Sequence, residues 1–226
     1  MPNLKFEYII FNLIVIAGPL SLSFDRKVHF VDKWKNTFSA ILLPFVVFTV
    51  WDMIVTGRHW WFSHDYTLNV RFLNLPPGEW LFFITVPFAT IFTWEVLAAY
   101  FKNRDVSNGR LVNVILYLGM PAGIILLIAG KEYTGLVLIV LGLTSVLDYF
   151  CKTEIFRQLR TYQYIAIIIG LILVFNGFLT ARPVVLYGEI YQLGFRIFTI
   201  PIEDFGYGLS YLLLCTIIYE NRKRDS

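Results

Sequence analysis

Apolar residues fall into seven runs, at residues 4–22, 38–56, 79–101, 111–129, 133–150, 162–180 and 203–220, and two of the connections between them, 57–78 and 181–202, are long and rich in aromatic residues and Arg. About 20 mostly apolar residues cross the roughly 30 Å hydrocarbon core as a helix, so each run predicts a membrane-spanning helix. Two of them open alike. The third follows Pro76-Pro77-Gly78-Glu79-Trp80, and the seventh follows Pro201-Ile202-Glu203-Asp204-Phe205. Proline suits a first helical position and an acid suits a first turn, so one copy alone reads as a cap. Two copies in matching context read as a site, because ionisable groups at membrane depth are costly.

The pattern repeats beyond these motifs. Asp52, Thr56 and Arg58 recur as Asn176, Thr180 and Arg182. One residue is then inserted, and Arg71, Pro76, Glu79, Trp80, Phe82, Trp94 and Glu95 pair with Arg196, Pro201, Asp204, Phe205, Tyr207, Tyr219 and Glu220. Helices one to three thus correspond to five to seven. The expected organisation is a first three-helix repeat over 1–104, a connecting helix over 105–131 and a second repeat over 132–226. Four crossings separate equivalent helices, so the halves point the same way, about an axis along the membrane normal. The fold class is all-α: a polytopic membrane bundle of seven helices, built as two parallel repeats plus a connector.

Composition agrees with a membrane protein. The 226 residues are 57% hydrophobic and 15% charged, where a soluble domain carries about a quarter charged residues. The 19 Lys and Arg fall mostly after helices one, three, five and seven, at positions such as Lys33, Lys102, Arg110, Arg157 and Lys223. By the positive-inside rule the N-terminus is outside and the C-terminus cytoplasmic, in a plasma-membrane protein, and both proline–acid motifs begin at the outer face. The first run lacks the flanks of a cleaved signal and reads as a retained helix. A net charge of +3, dispersed between apolar runs, argues against nucleic acid. Two cysteines, Cys151 and Cys215, and three histidines, His29, His59 and His64, lack metal-ligand spacing, and no nucleotide fingerprint occurs. No metal or cofactor is expected.

The chemistry-bearing residues gather at the outer level. Glu79, Glu203 and Asp204 lie in first turns, and Asp52 and Asn176 lie about one turn inside the outer ends of helices two and six. The aromatic residues Trp51, Trp80, Phe82, Phe83, Phe205 and Tyr207 lie at the same level. Rings usually pack as an interfacial belt, yet their faces also stabilise a cation, by up to about 2 kcal/mol each when desolvated. A carboxyl group taken out of water keeps its proton more readily, and a helix N-terminus opposes that. Acids that donate a proton beside rings that tolerate a carbocation suit proton-initiated chemistry on an apolar alkene. Glu95 and Glu220, roughly 24 Å away along their helices, read first as inner-edge acids paired with Lys102, Arg222 or Lys223, and second as a further acid tier.

The doubled Pro-x-Glu-Glu/Asp motif ahead of an aromatic-rich helix, in tandem halves of three helices, resembles the non-flavoprotein lycopene cyclases. The resemblance covers nearly the whole chain. It implies a lycopene or related carotenoid substrate in the bilayer, no cofactor, and acid-catalysed closure of the linear ends to ionone-type rings, β foremost. The second motif is complete in Pro201, Glu203 and Asp204. In the first, Gly78 stands where the family usually has its first acid. The resemblance therefore makes Glu203 with Asp204 the expected proton donor and Glu79 the partner carboxylate, with Asp52, Asn176 and the rings as substrate contacts. Alternatives are another carotenoid end-group enzyme, a seven-helix receptor, or a small transporter; homo-oligomers are compatible with all of these. A retinal-type receptor needs a lysine in the last helix, and residues 203–220 hold none.

Overall fold

A computed structural model of the chain describes residues 4–224. The extreme ends of the expected repeats, residues 1–3 and 225–226, lie outside the described residues, as does the side chain of Arg110. Seven helices form the body: α1 Glu7–Leu22, α2 Trp34–Val55, α3 Pro77–Tyr100, α4 Gly109–Ile128, α5 Glu132–Cys151, α6 Leu159–Ala181 and α7 Ile202–Arg224. Each contains one expected run, displaced by a few residues at its ends. Five of them, α2 to α6, are long and apolar enough to cross a membrane. Helix α1 is apolar but has 16 residues, and α7 carries Glu203, Asp204 and a basic last turn.

The halves interlock. Within each, the first helix packs on the third, α1 on α3 and α5 on α7; across them, α2 packs on α7 and α6 on α3. The centre is filled by Phe48, Phe83, Phe88, Trp94, Tyr164, Tyr211 and Tyr219, all buried. Helix α4 lies against α5, where Gly123 and Gly135 approach so closely that a Cβ on either would sit 2.6 Å from the other's carbonyl oxygen.

The two long connections contain strands. In the first, β1 (Trp60–Phe62) pairs antiparallel with β2 (Val185–Tyr187) of the second, centred on Trp61 opposite Leu186. Residues 60–62 and 185–187 are themselves repeat equivalents at a spacing of 125, so the ribbon straddles the axis relating the halves. Each connection then makes a tight hairpin before its proline. Phe72 and Leu75 exchange backbone hydrogen bonds around Leu73 and Asn74, both at positive φ. The equivalent Ile197 and Ile200 pair between β3 (Arg196–Ile197) and β4 (Ile200–Pro201), around Phe198 at φ 55°. Two ion pairs cross between the halves at the same level: Arg58 with Glu132, and Arg182 Nη2 with Glu7 Oε1 at 2.7 Å. Glu7 and Glu132 are again 125 apart. Like-oriented halves therefore bring equivalent helix N-termini to one end of the bundle.

Candidate active site

Both hairpins deliver the chain into a helix whose first turn holds an acid. Pro76 is extended, at φ −72° and ψ 156°, and Pro77 opens α3, placing Glu79 in its first turn; Pro201 precedes α7, whose first turn holds Glu203 and Asp204. Helical periodicity decides which side chains meet. Glu79, Phe82, Val86 and Thr90 form one face of α3, and Asp204, Tyr207, Gly208 and Tyr211 one face of α7. The two faces line a single cavity between the halves. Its head is polar, with Tyr8, Asp52, Trp60, Tyr133, Asn176 and Tyr187; its tail is apolar, with Phe11, Val15, Ala89, Ile168, Ile172 and Phe175. The backbone of α6 widens to a π turn over Ile172–Asn176, where it borders this tail.

The hydrogen bonds at the head follow the repeat. The Tyr8 hydroxyl donates to Glu79 Oε2, and 125 residues on, the Tyr133 hydroxyl donates to Asp204 Oδ1 at 2.7 Å. Asp204 Oδ2 accepts from Asn176 Nδ2 at 2.7 Å and from the Tyr187 hydroxyl at 2.5 Å. Burial, reinforced by Asp204, pushes the Tyr187 phenol well above its ordinary value, so it remains a donor. Asp52 Oδ1 accepts from Trp60 Nε1 at 2.5 Å. Thus Glu79 and Asp204, only 8% and 6% exposed, each accept a hydrogen bond from a tyrosine hydroxyl while facing an apolar chamber. Such carboxyl groups can give or take a proton with little competition from water.

Of the expected site residues, Glu79, Asp204, Asp52, Asn176, Phe82 and Tyr207 line the cavity, whereas Glu203, Trp51, Trp80, Phe83 and Phe205 do not. Glu203 lies one position off the lining face of α7. Its Oε1 accepts from Thr134 Oγ1 at 2.6 Å and from the backbone N–H of Leu193 at 2.8 Å, tying α7 to α5 and the second connection. Trp51 packs behind Tyr207, at 5.0 Å between ring centroids. Trp80 turns outward and donates to Phe72 O, Phe83 packs on Tyr211 in the core, and Phe205 is buried off the lining face. Glu95 and Glu220 lie at the other end of the bundle. Glu95 pairs with Lys33 and, at 2.7 Å, with Lys223, and Glu220 accepts from Trp94 Nε1 at 2.7 Å with Arg160 at 3.6 Å.

Tyr8, Tyr133, Tyr187 and Trp60 are site residues not singled out by the sequence reading. The spacing of 125, carried back from the motifs to the first and fifth helices, pairs Glu7-Tyr8 with Glu132-Tyr133 and was the available signal. Gly78 also has its reason here. A Cβ at Gly78 would lie 2.6 Å from the Tyr8 ring, so a side chain there and the Tyr8–Glu79 contact exclude one another. His59 is buried beside the site, with Nε2 3.1 Å from Glu132, and desolvation holds its pKa below the ordinary value. Among the described residues no group of three or more His, Cys, Asp or Glu is placed to hold a metal ion.

A family model described as Lycopene cyclase matches the chain twice, over residues 6–97 and 130–221. The first match holds α1 to α3, the second α5 to α7, and α4 lies between them. No curated protein and no solved structure matched.

Proposed function

The chain belongs to the lycopene cyclase family, and from that premise we propose that it closes the linear ends of lycopene to ionone-type rings, β foremost, by moving protons alone. The observation that carries the reading is the pair Glu79 and Asp204, equivalent acids from the two halves facing one apolar, ring-lined cavity. In the proposed reaction one carboxyl group protonates the terminal double bond, breaking its O–H bond and forming a C–H bond. The next suitably placed double bond attacks the resulting tertiary cation and forms the ring bond. The second carboxylate removes a carbon-bound proton, and the electron pair left behind becomes the ring alkene. The product is an isomer of the substrate, so electrons balance without flavin or nicotinamide, and the enzyme is an isomerase of the intramolecular lyase type.

Aromatic faces support the cationic stage. Phe82, Phe175, Tyr207 and Tyr211 line the chamber, and a desolvated cation gains up to about 2 kcal/mol from each ring it faces. The apolar tail suits a polyene arriving from the lipid. The ion pairs that occupy Glu95 and Glu220 favour a single outer tier, with the substrate leaving and returning reversed for its second ring. Outward placement of the site, N-terminus outside, rests on the distribution of basic residues.

The test is coexpression with lycopene-producing enzymes, followed by chromatography of the extracted pigments. Conversion of lycopene to ringed products, co-eluting with β-ring standards, is expected. Unchanged lycopene beside well-inserted protein would contradict the reading.

A further inference from the structure

Among the groups that surround the two acids the halves differ at Phe62 and its equivalent Tyr187 and, more sharply in chemistry, at Asp52 and its equivalent Asn176. In the second half Asn176 Nδ2 donates to Asp204 Oδ2 at 2.7 Å. In the first, the buried Asp52 and Glu79 carboxyls share the cavity head, and Asp52 Oδ2 has no donor. An amide brings its own N–H to a carboxylate. A second carboxyl group brings a donor only if one of the two carries a proton.

Asp52 is 1% exposed. Its Oδ1 accepts from Trp60 and, at 3.4 Å, from Thr56, while its Oδ2 is buried with no donor directed at it. Glu79 takes its own hydrogen bond from Tyr8. None of the ion pairs among the described residues reaches either acid. Two bare carboxylates this close and this dry repel strongly, and a single proton between them removes the repulsion and fills the vacant hydrogen bond. Asp204 has no such partner. An amide and two phenols donate to it, and these three hydrogen bonds favour its charged form against the burial that opposes it.

Resting on the acid-catalysed cyclisation proposed above, the geometry points to a division of labour: Asp52 and Glu79 hold one proton between them and deliver it to the polyene, and Asp204 is the base. Glu79 is the group that faces the reacting carbon, and Asp52 positions its proton. Each turnover leaves the pair one proton short and Asp204 one proton rich, and exchange with water resets both.

The experiment compares wild type with Asp52→Asn in isolated membranes supplied with lycopene, across a pH series. The titratable groups around the pair are Tyr8 on α1, Tyr187 on β2, and Asp204 and Tyr207 on α7. The amide of Asp52→Asn gives Glu79 a donor of the kind that Asn176 gives Asp204, so turnover at neutral pH falls about 100-fold, the usual worth of a general acid. It then recovers as the pH is lowered and Glu79 takes its proton from solution. Unchanged turnover, or a loss of the same size at every pH, would overturn the proposal. Infrared difference spectra of the same two proteins give a reading independent of activity. A carboxylic C=O band that shifts in heavy water is expected in wild type and absent from Asp52→Asn, and its persistence would overturn the shared proton. Failure of the wild type itself to cyclise lycopene would instead contradict the parent reading.

Discussion

At the scale of single residues, two neighbours that share one sequence motif have different surroundings. Asp204 faces the cavity and Glu203 does not. Asp204→Asn is therefore expected to lower cyclisation at least 100-fold with the protein still in the membrane, checked by product chromatography against protein level. Tyr133→Phe and Tyr187→Phe each remove one of three donors to Asp204 and should cost about 10-fold, since a hydrogen bond to a charged group contributes roughly 1.5–3 kcal/mol. Glu203→Gln is expected to act on the anchoring of the second connection. It should lower thermal stability while retaining more turnover than Asp204→Asn, and a reversal of that order would return the central role to Glu203. His59 gives a pH dependence of known sign. Its pKa lies below the ordinary 6.5 because burial disfavours the charged ring, so the unfolded chain takes up a proton first as pH falls. The stability this buried ring confers is present above that value and lost on acidification. Thermal denaturation should drop between pH 7 and 5, and His59→Gln should flatten that part of the profile.

At the scale of elements, the helices and their order were legible because lipid imposes one rule on every span: satisfy the backbone internally and present apolar side chains. The proline–acid openings of α3 and α7 were legible for the same local reason, a cap chemistry written in consecutive residues. The β1–β2 ribbon was not. Residues 60–62 and 185–187 are aromatic and apolar like any interfacial belt, and only their pairing across the axis makes them a ribbon. Nor was the face each acid presents. Glu203 and Asp204 differ by one position, about 100° around α7, and what α7 packs against decides which of them sees the cavity. Gly78 shows the same dependence on a distant partner, since its missing side chain makes room for Tyr8 of α1. Gly78→Ala is expected to displace the Tyr8 ring, break its bond to Glu79 and lower turnover about 10-fold. Tyr8→Phe, which removes only the hydroxyl, should reproduce most of that loss.

At the scale of the whole molecule, duplication explains both the interlocking and the chemistry. Each half supplies an acid, a tyrosine and an aromatic wall, and neither encloses the cavity alone. A chain cut in the segment between α3 and α4 is expected to be inactive as either fragment and active when the fragments are coexpressed, because α2–α7, α6–α3, the β1–β2 ribbon and the two crossing ion pairs reassemble them. A single acid tier predicts that a one-ringed carotenoid rises and falls before the two-ringed product in a time course. Ring closure, as proposed, runs on a proton supplied by the protein and renewed from water. Its most direct test is cyclisation of lycopene in heavy water by isolated membranes, with no flavin or nicotinamide added, and mass analysis of the product. One carbon-bound deuterium per ring formed is expected; rings formed without solvent deuterium, or only after a redox cofactor is supplied, would contradict a solvent-renewed proton.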